Sequence, residues 1–244
     1  MAISSNQEIV ILTGAGISKE SGLDTFRDTD GIWSQVRLED VATPEAFAKN
    51  PSRVHDFYNA RRRQLVTSNV KPNAAHRALA RLEEGWPARG GGSVTIVTQN
   101  IDSLHEAGGS KTIFHMHGEL LKARCMSCQG TSPWSHDLGQ GEACPRCSNA
   151  GSLRPHVVWF GEMPLFMEEI QRRLQHCALF VSIGTSGNVY PAAGFVQDAR
   201  AVGARTIELN LEPSAGATFF DDSRYGPATE LIPSFVDEIL EIGI

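Results

Sequence analysis

No stretch of the 244-residue sequence approaches the ~18 apolar residues of a membrane span. The opening residues, MAISSNQEIV, lack the basic and apolar regions of an export signal, so the cytoplasm is the expected compartment. Positive charge is scarce. Lys and Arg number 22 against 28 Asp and Glu, a net charge of -6, which makes a poor generic ligand for nucleic acid or an anionic membrane. Internal repeats are absent. Cysteine is sparse, five residues and hence an odd number, yet four of them crowd into one segment. What is plentiful is ordinary: 41 % hydrophobic residues, enough for a core, over a length that at ~150 residues per domain fits one or two domains.

The crowded cysteines are Cys125, Cys128, Cys144 and Cys147, two C-x-x-C pairs fifteen residues apart. Each pair can turn two thiolates toward one ion, and two pairs complete a tetrahedral Zn2+ shell. The intervening QGTSPWSHDLGQGEA is too polar to fold alone, and metal binding would supply that folding energy. Two disulfides are the alternative, disfavoured in a reducing compartment. Four thiolates close the shell to water and substrate, so the zinc is expected to be structural. Cys177 reads as a core residue.

Four apolar runs, EIVILTGAGIS, SVTIVTQNID, CALFVSIGTSG and RTIELNLEPS, end in small or polar residues. Fully buried parallel strands have this character, and ligands gather at their carboxyl ends. Helical patterns fall at Ser52–Val66, Asn73–Leu82, Met167–His176, Pro191–Val202 and Ile232–Leu240. The expected fold is α/β, a Rossmann-type doubly wound parallel sheet with a small zinc-binding and helical domain inserted. Residues 1–33, 72–120 and 152–244 would form the nucleotide-binding domain, and 34–71 with 121–151 the small one.

Gly14-Ala15-Gly16-Ile17-Ser18 opens like a dinucleotide fingerprint, but Lys19 stands where G-x-G-x-x-G needs its third glycine. Backbone N–H groups of such a turn can approach a diphosphate, while hydride transfer is not implied. The segment His115-Met116-His117-Gly118 offers two histidines, either of which could serve as a general base near neutral pH. Gly118 would leave room for a close ligand.

Taken together, Gly14–Ser18, Gly22 with Phe26-Arg27, Gln99-Asn100-Ile101-Asp102, His117-Gly118 and the four cysteines resemble the sirtuin family. These are NAD-dependent protein lysine deacylases. Phe26-Arg27-Asp28 and Tyr58-x-x-Arg61 are similar to the bacterial class III branch, which removes succinyl and other acidic acyl groups. The resemblance implies that the acyl-lysine carbonyl oxygen attacks the ribose and releases nicotinamide, leaving O-acyl-ADP-ribose. It selects His117 as the base, assigns Asn100 and Asp102 to the nicotinamide and ribose, and leaves His115 structural. It implies an NAD site at Gly14, Ala15, Gly16, Ile17, Ser18, Gly22, Thr25, Phe26, Arg27, Trp33, Gln99, Asn100, Ile101 and Asp102. The site would continue through Gly184, Thr185, Ser186, Asn210, Leu211, Glu212 and Ala228. Peptide contacts would come from Val158, Phe160, Gly161, Glu162 and Val189, and Ala42 would leave the acyl pocket wide.

One residue stands out on helical geometry. Val54, Phe57, Tyr58 and Leu65 form one apolar stripe of the helix Ser52–Val66, and Arg61 falls on it, while Arg62 and Arg63 are expected to face solvent. A guanidinium turned inward needs a partner, either an internal carboxylate or the carboxylate of a substrate acyl chain. The resemblance favours the second, with the Tyr58 hydroxyl beside it. The expected partners are acyl-lysine proteins or peptides, with no specific nucleic acid and no membrane, and a monomer is favoured. An NAD-dependent mono-ADP-ribosyltransferase, a non-catalytic zinc-ribbon module and a dehydrogenase remain as rival readings.

Overall fold

The computed structural model describes residues 8–23 and 37–242. Thr25, Phe26, Arg27 and Trp33 of the expected NAD site lie outside the described residues. In chain order the elements are β1 (Glu8–Thr13), α1 (Gly16–Lys19), α2 (Pro44–Lys49), α3 (Pro51–Thr67), α4 (Ala74–Ala88), β2 (Val94–Thr98) and α5 (Leu104–Ala107). There follow β3 (Ile113–His115), β4 (Gly118–Cys125), β5 (Thr131–Pro133), β6 (Leu153–Val157) and α6 (Met167–Leu174). The chain closes with β7 (Cys177–Ile183), α7 (Phe195–Ala201), β8 (Arg205–Asn210), β9 (Asp222–Tyr225) and α8 (Ala228–Ile242). The stretch read as a helix from Pro191 begins instead as a 3-10 turn at Ala192–Gly194.

The large sheet runs β3-β2-β1-β7-β8-β9, and every pairing in it is parallel. Counted within the sheet this is the 3-2-1-4-5-6 order of a doubly wound fold, with its switch point between β1 and β7. Alternation along β1 builds both faces of the core. Ile9 and Ile11 pack with α4 and α8 residues such as Leu79, Leu82, Phe235 and Ile239. Val10 and Leu12 face the other way, among Ile170, Leu174, Phe195 and Val196 of α6 and α7. With both faces covered, the central strands can be apolar throughout, and all five residues of β2 are buried.

The second sheet, β5-β4-β6, is antiparallel. Leu153–Val157, grouped with the nucleotide domain in the sequence reading, pairs with β4 instead. It returns the chain from the cysteine segment. Gly118 begins this sheet with φ +82, and a Cβ there would sit 2.2 Å from the His156 carbonyl oxygen. Close strand approach therefore demands the glycine, rather than room for a ligand.

Helix α3 is capped by Asn50, whose side chain accepts from Arg53 N, with Pro51 in the first turn. It buries Val54, Phe57 and Tyr58 as expected, and also Asn59 and Arg62. The expectation that Arg62 is solvated is wrong: its side chain is fully buried. Arg62 follows Val54 and Tyr58 at steps of four, on the same face as Arg61. Its Nε donates to Leu120 O at 3.1 Å and a terminal nitrogen donates to Asn59 Oδ1 at 2.7 Å. Burial lowers its pKa to about 10. Arg63 is exposed and pairs with Asp137, as expected of a surface arginine.

Candidate active site and metal centre

The carboxyl ends of β1 and β7 meet so closely that neither loop tolerates a side chain. A Cβ on Gly14 would lie 2.7 Å from Gly184 O, and one on Gly16 would lie 2.7 Å from the Gly184 Cα. Gly14 N and Gly16 N donate to Ile183 O and Gly184 O, each at 2.9 Å. These two N–H groups are therefore spent within the protein, which corrects the expectation that they meet a diphosphate. The glycines let the loops after these two parallel strands touch, and α1 is only four residues long.

Beside this contact opens a cleft of about 740 Å³, within the size range of ligand pockets. Its wall includes Gly14, Ala15, Gly16 and Ser18 from the first turn and Gln99, Asn100, Ile101 and Asp102 from the end of β2. Gly184, Thr185 and Ser186 after β7, Asn210, Leu211 and Glu212 after β8, and Ala228 complete this side. His117 stands with Ala42, Tyr58, Arg61, Val158, Phe160, Glu162 and Val189 on the other. Three expected residues are not on this wall. Ile17 is fully buried in the core cluster over α4 and α8. Gly22 and Gly161 are exposed turn residues at φ +91 and +89.

The two histidines are distinguished by their hydrogen bonds. His115 uses both ring nitrogens, Nδ1 donating to Asn100 O at 3.2 Å and Nε2 pairing with Glu106 at 2.6 Å. Burial alone would lower its pKa, but the Glu106 bond and charge raise it on balance, and with both ring nitrogens committed His115 is a structural residue. His117 donates Nδ1–H to Gln99 O at 3.2 Å, which fixes the tautomer and leaves Nε2 as the basic nitrogen. Burial pushes its pKa below the ordinary 6.5, only partly offset by the Gln99 bond, so it is a neutral acceptor at neutral pH.

Beneath it runs a polar network. Asn100 Nδ2 donates to Gly14 O at 3.1 Å and to Ser18 Oγ at 3.2 Å. Ser18 Oγ donates to Asp102 Oδ2 at 3.1 Å, and Asp102 Oδ1 caps α5 by accepting from Leu104 N at 3.0 Å. Burial raises the Asp102 pKa, opposed by these two bonds. Asn210 is likewise a brace, its Nδ2 donating to Thr185 O at 2.8 Å.

On the α3 side, Trp159 Nε1–H donates to the Tyr58 hydroxyl oxygen at 3.0 Å. Indole is a donor only, so the Tyr58 oxygen is the acceptor and its own hydrogen is left to donate elsewhere. Tyr58 is 2 % exposed, and burial pushes its pKa up to about 12. The Arg154 guanidinium carbon stands over Trp159, 3.3 Å from the ring centroid. Glu162, expected to contact substrate, is already heavily engaged. Its carboxylate accepts from both terminal nitrogens of Arg154 at 2.7 and 2.8 Å and from Trp159 N at 2.8 Å. Trp159 lies within the apolar run VVWF that the sequence marks beside the substrate contacts, but its bond to Tyr58 is not legible there, and nothing local marks Arg154.

The four cysteines converge. Their sulfurs all lie within 4.8 Å of one another, with Cys125–Cys147 at 3.7 Å and Cys128–Cys144 at 3.8 Å. A tetrahedron of ~2.3 Å Zn–S bonds has an edge near 3.8 Å, so the cage fits one zinc. Cys128 N and Arg146 N point at Cys125 Sγ and Cys144 Sγ, as backbone N–H groups do toward thiolates. Cys177 sits apart in the core beneath α6.

Among the described residues, no helix is long and apolar enough to cross a membrane. The Sir2 family model matches residues 14–191. The NAD-dependent protein deacylase SIR2rp3 of Leishmania major is 56 % identical over 234 residues, covering 96 % of this chain and 96 % of that protein. The NAD-dependent protein deacylase of Caulobacter vibrioides is 55 % identical, over 96 % and 97 % of the two chains. Among solved structures, a Sir2 homologue in complex with NAD superposes with a TM-score of 0.86 at 35 % identity, covering 97 % of this chain and 91 % of that one. A Sir2 protein with a deacetylated p53 peptide and 3′-O-acetyl-ADP-ribose gives 0.77 at 27 % identity, over 97 % and 94 %. With a family model over most of its length and relatives more than half identical nearly end to end, the chain belongs to the Sir2 family.

Proposed function

We propose that the chain removes acyl groups from protein lysines in a reaction that consumes NAD, and that its acyl pocket favours chains ending in a carboxylate. Bound NAD supplies an electrophilic ribose carbon with nicotinamide as the leaving group. The curated relatives named NAD-dependent protein deacylase support the first half. The position of Tyr58 and Arg61 on the same cleft as His117 carries the second.

In this reading Asn100 and Asp102, fixed by Ser18 and the α5 cap, orient the nicotinamide end. Gly184–Ser186, Asn210–Glu212 and Ala228 hold the rest of the nucleotide at the strand ends. His117 takes a proton at Nε2 from a ribose hydroxyl, which activates that oxygen to accept the acyl group, giving O-acyl-ADP-ribose. Val158, Phe160 and Val189 flank the substrate backbone, while Glu162 braces that wall through Arg154. Arg61 offers a charged fork, and the Tyr58 hydrogen a second donor, to a succinyl or malonyl carboxylate. Zn2+ in the four-cysteine cage is structural.

The test is kcat/KM for succinyl- and acetyl-lysine versions of one peptide. Desuccinylation should exceed deacetylation, and Arg61→Met should cut the former by ~1.5–3 kcal/mol, the worth of a hydrogen bond to a charge, while sparing much of the latter. Equal losses on both substrates would remove the carboxylate from the account.

A further inference from the structure

Tyr58 and Arg61 stand on α3, a helix whose buried face is held in place by polar contacts rather than by packing alone. Between them in sequence lies Asn59, 6 % exposed. Its Nδ2 donates to Leu138 O at 2.9 Å, and its Oδ1 accepts from Leu138 N at 2.8 Å. One side-chain amide thus pairs with both backbone groups of one residue, as a strand neighbour would. The same Oδ1 accepts from Arg62, which also reaches Leu120 O of β4. Arg63, on the outer face, pairs with Asp137.

Leu138 belongs to the metal segment, between the two cysteine pairs. It is 1 % exposed and shares a small core with Cys125, Cys144, Trp134 and Leu153. That core is slight, so the placement of Leu138 depends on the cage that Cys125 and Cys144 help to form. The path is short: thiolate cage, Leu138 backbone, Asn59 amide, then one residue back to Tyr58 and two forward to Arg61.

We infer that Asn59 is a positioning residue that registers α3 against the zinc segment, and so sets how well the cleft reads an acidic acyl chain. The inference rests on the proposed roles of Tyr58 and Arg61. Ser18 stands in α1, Asn100 and Asp102 follow β2, and His117 lies between β3 and β4; the clamp reaches that side only at second hand, through Arg62 and Leu120, whereas its two Leu138 bonds act on α3 directly. Loosening the clamp should therefore blunt recognition of the carboxylate while leaving an acetyl chain, which has none, to react as before.

The experiment compares the zinc-loaded wild type with Asn59→Ala and Asn59→Asp. Asp keeps the acceptor for Leu138 N and Arg62 but loses the donor to Leu138 O, so it serves if the alanine variant does not fold. Succinyl-peptide KM should rise about tenfold in Asn59→Ala, which loses all three side-chain bonds, and about threefold in Asn59→Asp, which loses one, with kcat and acetyl-peptide KM within about twofold. The affinity of a succinyl-lysine peptide for the enzyme without NAD, measured by calorimetry, should weaken by the same factors. Zinc content should stay at one per chain. Equal changes on both acyl substrates, or an unchanged succinyl KM, overturn the inference and assign Asn59 to stability alone. If the wild type itself does not prefer succinyl, the reading of Tyr58 and Arg61 falls and this inference falls with it. If the wild type prefers succinyl and both variants keep that preference at its wild-type size, only the clamp is refuted.

Discussion

Replacing Glu162 by Gln tests whether this carboxylate braces the cleft wall or meets the substrate. Arg154 is 2 % exposed, so its charge depends on Glu162 for compensation. The two share bonds of 2.7 and 2.8 Å, and Glu162 also receives Trp159 N at 2.8 Å. Removing one partner of a fully buried pair costs ~3–5 kcal/mol because the other charge is stranded. Glu162 is 21 % exposed and Gln keeps one acceptor, so about 2–3 kcal/mol is expected here. For a chain of this length, that lowers Tm by about 4–12 °C. The bonds to Arg154 and Trp159 hold the Glu162 carboxyl below its ordinary pKa despite burial. A depressed carboxylate contributes stability above its unfolded pKa and loses it as pH falls through the folded value. The gap between wild type and Glu162→Gln should therefore be full at neutral pH and close as the solution becomes more acid than the ordinary 4.5. Thermal unfolding followed by circular dichroism reads both. An unchanged Tm with a raised peptide KM would refute the brace and return Glu162 to the substrate.

Three further outcomes follow from the same contacts. His117→Ala should abolish turnover while NAD still binds by calorimetry, and the acid limb of the wild-type kcat/KM profile should lie below the ordinary histidine pKa of 6.5, because burial depresses His117; retained activity would place the base elsewhere. His76 is fully buried and burial lowers its pKa to about 4, so the fold keeps it neutral; stability is whole above 6.5 and should fall by roughly 3 kcal/mol as pH drops toward 4, a loss that urea titrations should find diminished in His76→Asn. Stripping zinc with a chelator should melt the β5-β4-β6 sheet before the parallel sheet, seen as early amide exchange at Ala123 and Leu153, whereas unchanged protection would leave the metal without a structural role.

The parts legible in sequence were those whose signal is local. Strands β1, β2, β7 and β8 are covered on both faces, so each is an apolar run that announces itself. Strands β3 and β9 are short sheet edges, and β9 reads DSRY, which no apolar pattern reveals. The cysteine cage was legible because metal geometry constrains spacing. The glycines at 14, 16 and 118 were rightly singled out but for another cause. What excludes a side chain is the backbone of Gly184 or His156, far away in the chain. Arg62 shows the limit of a helical stripe. A guanidinium can be buried once a carbonyl and an amide accept from it, and Leu120, one of those partners, is 58 residues distant. Residue type alone does not rank His115 and His117; the family resemblance selects His117, and the Glu106 and Gln99 contacts give the physical reason.

The most direct measurement incubates the zinc-loaded protein with NAD and a panel of acyl-lysine peptides, following peptide, nicotinamide and nucleotide product by mass spectrometry. The account predicts one nicotinamide and one O-acyl-ADP-ribose for each acyl group lost, fastest with succinyl or malonyl. Nicotinamide release with ADP-ribose added to protein, and no loss of acyl group, would contradict it.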